Sequence, residues 1–235
     1  MIYTMDDIKA LLRSATAQER KELAALLGYQ FESINMQAEE LVKQLAWKYQ
    51  TPLGYLMRTQ TFDEMCVDVA KQLKFGKLTK QQVSCWDLLD QVIKGMLEKM
   101  IREMTPDQKE QFAKALFSDE KIREAFDKGG YKGGKFAAGS LLTVVRTTFG
   151  FAPYPFTLIV VNQVARILLG RGLSLAANVV VVRTVSFILG PVGWLLLIWG
   201  INDLLGTNYK KVIPATLYIY CIYARLKEEG KLPFN

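Results

Sequence analysis

The first half of the chain spaces its apolar residues with a helical period. Phe62, Met65, Cys66, Val69, Ala70 and Leu73 recur at steps of three and four, which gathers them on one stripe of a helix. Val83, Trp86, Leu89, Val92 or Ile93, and Leu97 make a second stripe, with charged residues between them as a solvated face. Thr16 with Glu19, Thr61 with Glu64, Thr79 with Gln82 and Thr105 with Gln108 all have capping-box spacing. There the hydroxyl accepts from the third amide while Glu or Gln reaches back. Pro106 adds the residue favoured at a first helical position. No segment before residue 140 sustains the alternation of a strand, so this half predicts short amphipathic helices packed on one another.

The pattern changes at Asp127-Lys-Gly-Gly-Tyr-Lys-Gly-Gly-Lys135, where four glycines and three lysines predict a linker. The chain therefore divides into an amphipathic region 1–126, the linker 127–135, and an apolar, basic region 136–235. In the last region helices are expected at about 137–149, 156–169, 173–189, 192–205 and 209–229. Their separators are Pro153 and Pro155, then Gly170-Arg171-Gly172, then Gly190-Pro191, then Gly206. The expected fold class is all-α: a multi-helix bundle whose amphipathic N-terminal helices surround a very apolar C-terminal part.

Charge sharpens that division. Residues 1–126 hold 18 basic and 19 acidic side chains, whereas 127–235 hold 12 basic and 4 acidic, so the net +7 belongs to the apolar half. Cations set among Leu, Ile and Val favour anionic headgroups or internal pairing over a nucleic-acid groove. The apolar pieces between 156 and 205 are 14 to 17 residues long, short of the roughly 20 that cross a bilayer. Uncharged windows at 147–165 and 184–202 come close, but Pro153, Pro155 and Gly190-Pro191 interrupt them. The lengths favour a packed bundle at rest. Surplus apolar surface and small residues such as Gly193 leave membrane insertion open.

Catalytic and metal chemistry find little support. The chain has no histidine, which removes Ser-His and Cys-His nucleophiles, and its three cysteines (Cys66, Cys85 and Cys221) form no CxxC. Gly129 to Phe136 falls short of a phosphate-binding loop, because a helix precedes it and Phe136 replaces the hydroxyl. Ser118 with Lys121 reads as a helix cap, and Asp87 with Asp90 as a solvated face. No enzyme activity, cofactor or metal is expected. Between Asp127 and Glu228 the only acid is Asp203. It is expected to pair with Arg166, Arg171 or Arg183, carboxylates of the first half serving the others; snorkelling of these arginines to the surface is an equal alternative. Candidate membrane or partner contacts are Arg166, Arg171, Arg183, Trp194, Trp199, Tyr218 and Tyr220, although core positions suit the tyrosines best. The first residues lack the pattern of a signal peptide, which predicts a cytoplasmic protein, peripheral to or inserted at the inner membrane.

Ala165-Arg-Ile-Leu-Leu-Gly-Arg-Gly-Leu-Ser-Leu-Ala-Ala-Asn178, Gly190-Pro-Val-Gly-Trp194, Trp199 to Asp203, Gly206, Tyr209 and Val212-Ile-Pro214 together resemble the YaaW-like family of uncharacterised bacterial proteins. The likeness covers about residues 140–225. Around Thr61 to Ala70 the chain is more loosely similar to a region linked with ubiquinol–cytochrome c reductase chaperones. Gly206-Thr-Asn-Tyr-Lys210 departs from the family's Gly-Pro-Ala-Tyr-Arg but keeps the tyrosine and a cation. The resemblance implies a bacterial origin, a helical architecture, and structural roles for Gly170, Gly172, Asn178, Gly190, Pro191, Gly193, Asp203, Gly206, Tyr209 and Pro214. It implies no activity.

Two functions follow as expectations. The first is a membrane-active bundle, soluble when folded and able to bind or enter anionic membranes, a logic that colicin-type pore domains use by fold-level analogy. The alternative is a chaperone or assembly factor that holds an apolar client segment in a groove. A homo-oligomer is compatible with both, and nucleic-acid binding is the least favoured reading.

Overall fold

A computed structural model describes residues 2–29, 37–50, 61–77, 83–118, 153–174 and 208–234, with Glu120, Glu124, Leu141, Val145, Arg146, Phe149 and Gly150 between them. Among these residues the fold is all-helical. The helices are α1 (Met5–Arg13), α2 (Ala17–Leu26), α3 (Ala38–Tyr49), α4 (Phe62–Gln72), α5 (Cys85–Glu103), α6 (Pro106–Ser118), α7 (Pro153–Leu169) and α8 (Tyr209–Glu228).

Local signals set most helix starts. Thr16 with Glu19 and Thr61 with Glu64 form reciprocal capping boxes at α2 and α4. Thr105 and Gln108 exchange the same two bonds, 2.9 and 3.2 Å, at the start of α6. Thr4 and Asp7 build a further box at α1, with Asp in place of the usual Glu or Gln. The second stripe needs a correction: α5 starts at Cys85 under a Ser84 cap, and Val83 is 38% exposed rather than buried. Ser84 Oγ accepts from Asp87 N at 3.2 Å, which fixes the start two residues inside that stripe. Thr79 and Gln82 lie outside the described residues.

The C-terminal helices also refine their expected bounds. Helix α7 begins at Pro153, not 156, because the first four amides of a helix have no intrahelical partner and proline costs nothing there. Thr157 Oγ1 donates to Pro153 O at 2.8 Å across that first turn. Leu173 and Ser174, expected to open a helix, are instead non-helical. Leu141, Val145 and Phe149 are helical and buried, at positions that share one face.

Helix α8 is the centre of the bundle. It packs along α7 and also touches α1, α2, α3, α4 and α5. Every residue from Val212 to Ile222 is buried, and so is every residue from Pro155 to Ala165 of α7. Helices apolar all round are stable only when enclosed, and each large side chain fully buried is worth roughly 1.5–3 kcal/mol. That gain carries α8 through Pro214, which lies inside the helix and removes one of its hydrogen bonds.

Candidate functional site

The enclosed pair α7–α8 is joined to the charged first half by polar clamps. Glu19 of α2 is 4% exposed. Arg225 of α8 donates to it twice, Nε to Oε1 at 2.6 Å and Nη2 to Oε2 at 2.7 Å. Burial opposes the guanidinium charge, but the hydrogen bonds that it donates to Glu19 and Glu229 outweigh it and raise the Arg225 pKa. The same Glu19 carboxylate accepts from Thr16 N at 2.8 Å, so one side chain caps α2 and holds α8.

A second clamp joins α2 to the turn after α7. Glu22, fully buried, accepts from Ser174 N at 2.8 Å and from the Ser174 hydroxyl. Arg171 donates through Nη2 to Ala25 O. Within the turn, Asn162 Oδ1 accepts from Leu173 N at 2.8 Å. Gly172 makes that possible: a Cβ there would lie 2.5 Å from Asn162 Oδ1 and 3.3 Å from Arg166 Cγ. Gly170 follows Leu169 with φ +71, the left-handed stop that ends a helix.

A third group lines a cleft of about 390 Å³ between α5, the start of α7 and the end of α8. Tyr220 donates to Asp90 Oδ1 at 2.6 Å, and Lys94 pairs with Asp90 Oδ2 at 2.6 Å. Burial, then Asp90, raise the Tyr220 pKa, so the phenol keeps its proton. Lys94 Nζ lies 5.0 Å from the Phe149 ring centre and Lys227 Nζ 5.8 Å from that of Tyr223. Beside them Trp86 stacks parallel on Tyr223, centroids 4.2 Å apart, and meets Tyr3, Phe62 and Phe234. Burial pushes the Tyr223 phenol up to about 12. Glu228 Oε1 accepts from Tyr154 N at 2.8 Å, satisfying one orphan amide of α7. The cleft offers aromatic walls, fixed hydrogen-bond partners and charges of both signs, which suits binding and orientation.

The residues singled out in the sequence separate. Tyr218 and Tyr220 are 1% and 3% exposed, in the core, and Tyr209 and Pro214 belong to α8. Arg166 and Arg171 are exposed at the end of α7, beside Gly170 and Gly172. Arg183, Trp194, Trp199, Asn178, Gly190, Pro191, Gly193, Asp203, Gly206 and the linker 127–135 lie outside the described residues. First-half carboxylates do reach cations of the second half: Glu19 holds Arg225, and Glu98 holds Arg146 through two bonds of 2.6 Å. Sequence reasoning missed both pairs, along with Glu22. The one available signal, the Thr16–Glu19 box, pointed only to a cap.

Cys66, Cys85 and Cys221 are buried free thiols. Among the described residues no group of His, Cys, Asp and Glu is placed to hold a metal ion, and no helix is long and apolar enough to cross a membrane.

With this geometry in place, one comparison bears on kinship. The chain is similar to a UPF0174 protein of Helicobacter pylori. The two are 31% identical over 175 residues, which is 72% of this chain. The chain spans 62% of that relative's length. No family model matches the chain, and no solved structure matches it significantly.

Proposed function

We propose that this chain is a non-enzymatic, membrane-active helical bundle that encloses its apolar helices when folded and associates with or enters anionic membranes. The observation that carries this reading is the unbroken burial of Pro155–Ala165 of α7 and Val212–Ile222 of α8 among the surrounding helices. Within the two helices the uncharged stretches run only from Pro153 to Ala165 and from Val212 to Ala224, well below the roughly 20 residues of an ordinary span. Contact with lipid therefore means opening the bundle and laying these helices into the interface, or inserting them as a pair.

Two features lower the cost of opening. Among the described residues, the side-chain bonds that clamp the pair to the first half are polar. Inside, Gln163 Nε2, Thr216 Oγ1 and Tyr218 OH are buried with no hydrogen-bond partner among the described residues. An unsatisfied buried polar group costs about 1–3 kcal/mol, so the folded state holds these helices at less than their full apolar value. Release of an entrapped dye from vesicles containing phosphatidylglycerol, measured across pH, tests the proposal. Neither release nor vesicle binding under any condition would overturn it.

The alternative, a chaperone or assembly factor for an apolar client segment, draws on the aromatic-walled cleft at Trp86, Tyr220 and Tyr223. A stable protein partner combined with no vesicle binding favours it. On kinship, we propose that the chain is a bacterial protein of the UPF0174 kind and, more finely, YaaW-like. The similarity over 175 residues supports the first, and the motifs between 165 and 214 support the second.

A further inference from the structure

We propose that the cleft between α5, the start of α7 and the end of α8 binds a small zwitterion with an apolar body, of the class of the free apolar α-amino acids. The assignment goes beyond the membrane-active reading and stands without it. Asp87 and Asp90 read in the sequence as a solvated face, yet both line this cavity of about 390 Å³, a volume within the range of small-molecule sites. Trp86 stacks on Tyr223 with centroids 4.2 Å apart. Four residues further along α5, Asp90 accepts from Tyr220, three residues earlier on α8. The two helices therefore run antiparallel along the cleft, and stacking and hydrogen bonds fix its walls before a ligand arrives.

The charges of the cleft divide into those already engaged and those on offer. Asp90 is paired with Lys94 and bonded to Tyr220, and Glu228 accepts from Tyr154 N. Two groups remain at the mouth, Asp87 and Lys227, both exposed. Among the described residues the Asp87 carboxylate accepts only from the Ser84 hydroxyl, at 2.7 Å, and Lys227 Nζ faces only the Tyr223 ring, at 5.8 Å. Both lie near Tyr223: burial first, then Tyr3 and Asp87, push its phenol up to about 12, so the Asp87 charge is felt there. Opposite charges left unpaired at one mouth match a ligand that carries both signs close together. Asp87 takes an ammonium group and the Lys227 ammonium takes a carboxylate. Beyond them Phe149, Gly150 and Pro153, with Ala224 of α8, offer no polar side chain, and an apolar ligand side chain fills that part. Gly150 and Ala224, with at most a methyl group, leave the room for it. A segment from the middle of a client chain has neither terminal charge and would leave Asp87 and Lys227 unanswered.

The test is isothermal titration calorimetry of the whole protein with L-leucine, L-methionine and L-phenylalanine, with thermal unfolding as a second readout. Phenethylamine and 3-phenylpropionate, which each keep the ring and one charge, are the controls. Saturable binding of at least one amino acid is expected, with a rise in Tm, because a ligand that binds only the folded state stabilises it. Asp87→Asn and Lys227→Gln, both at exposed positions, should leave unliganded thermal unfolding unchanged. Each should weaken binding about 10-fold, the low end for a hydrogen bond between charged groups. Undiminished affinity in both variants, or a control that binds as tightly as the best amino acid, would overturn the zwitterion assignment. No heat and no change in Tm with any of the amino acids at millimolar concentration would overturn the site itself. Vesicle binding and dye release, measured separately, decide the membrane-active reading whichever result is obtained.

Discussion

Arg225 and Glu19, 206 residues apart in the chain, form a two-point ion pair between α8 and α2 with bonds of 2.6 and 2.7 Å. The side chains are 15% and 5% exposed, so little water screens the pair. A buried pair need not add much net stability, but removing one member strands the other charge. Because Glu19 also caps α2, the folding of the first amphipathic helices and the anchoring of the central apolar helix depend on one carboxylate.

Glu19→Ala should therefore destabilise the protein by about 3–5 kcal/mol in urea unfolding, whereas Thr16→Ala, which removes only the cap, costs about 1 kcal/mol. Replacing the pair together, Glu19→Leu with Arg225→Met, should recover most of the loss. A Glu19→Ala effect no larger than that of Thr16→Ala would contradict the clamp.

The turn after α7 makes a steric prediction. Gly172→Ala should push Asn162 off Leu173 N and cost about 1–3 kcal/mol, the price of a buried acceptor and donor left unpaired. Asn162→Ala should cost a similar amount, and the double change little more than either alone. Additive losses in thermal unfolding would separate the two residues.

Inside the pair, the unpartnered hydroxyl of Thr216 makes an opposite prediction. Thr216→Val keeps the shape and removes the buried polar atom, so it should leave stability unchanged or raise it by up to about 1 kcal/mol. A clear loss would mean that the hydroxyl has a partner after all.

Acid should loosen the bundle. Hydrogen bonds from Arg146 hold the Glu98 carboxyl below the usual carboxylate range, and Lys231, then Arg225, do the same for Glu229. A carboxylate depressed in the folded state contributes fully above its unfolded pKa and loses that contribution as pH falls through the folded value. The urea midpoint should stay level from neutral pH down to about 5 and fall below about 4.3, the ordinary Glu value. Glu98→Gln should shrink the fall. A midpoint that rises on acidification would contradict these pairs.

The elements that local chemistry specifies were legible in the sequence. Thr16, Thr61 and Thr105 each cap the helix that their spacing announced, and all six residues of the Phe62 to Leu73 stripe are fully buried. The start of α7 was misplaced because proline reads as a breaker, while in the first helical turn it is harmless. The Thr4–Asp7 box was missed because Asp is the shorter reciprocal partner. Long-range pairing was not legible. Nothing in the local pattern distinguishes Arg225 from Arg166 as the partner of a buried carboxylate, since that choice depends on how α8 lies against α2. The cleft shows the same limit: Asp87 and Asp90 read as a solvated face, yet packing turns Asp90 toward Tyr220.

The central claim is that α7 and α8 are sheltered at rest and meet lipid when the bundle opens. A photoreactive lipid incorporated in the bilayer, followed by mapping of the labelled peptides, measures this directly. With phosphatidylcholine vesicles, peptides from Pro153–Leu169 and Tyr209–Glu228 should stay unlabelled, and Cys221 should resist a water-soluble thiol reagent until the protein is unfolded. With phosphatidylglycerol vesicles both helices should acquire label. Vesicle-bound protein whose label is confined to the amphipathic helices at every pH would contradict the account.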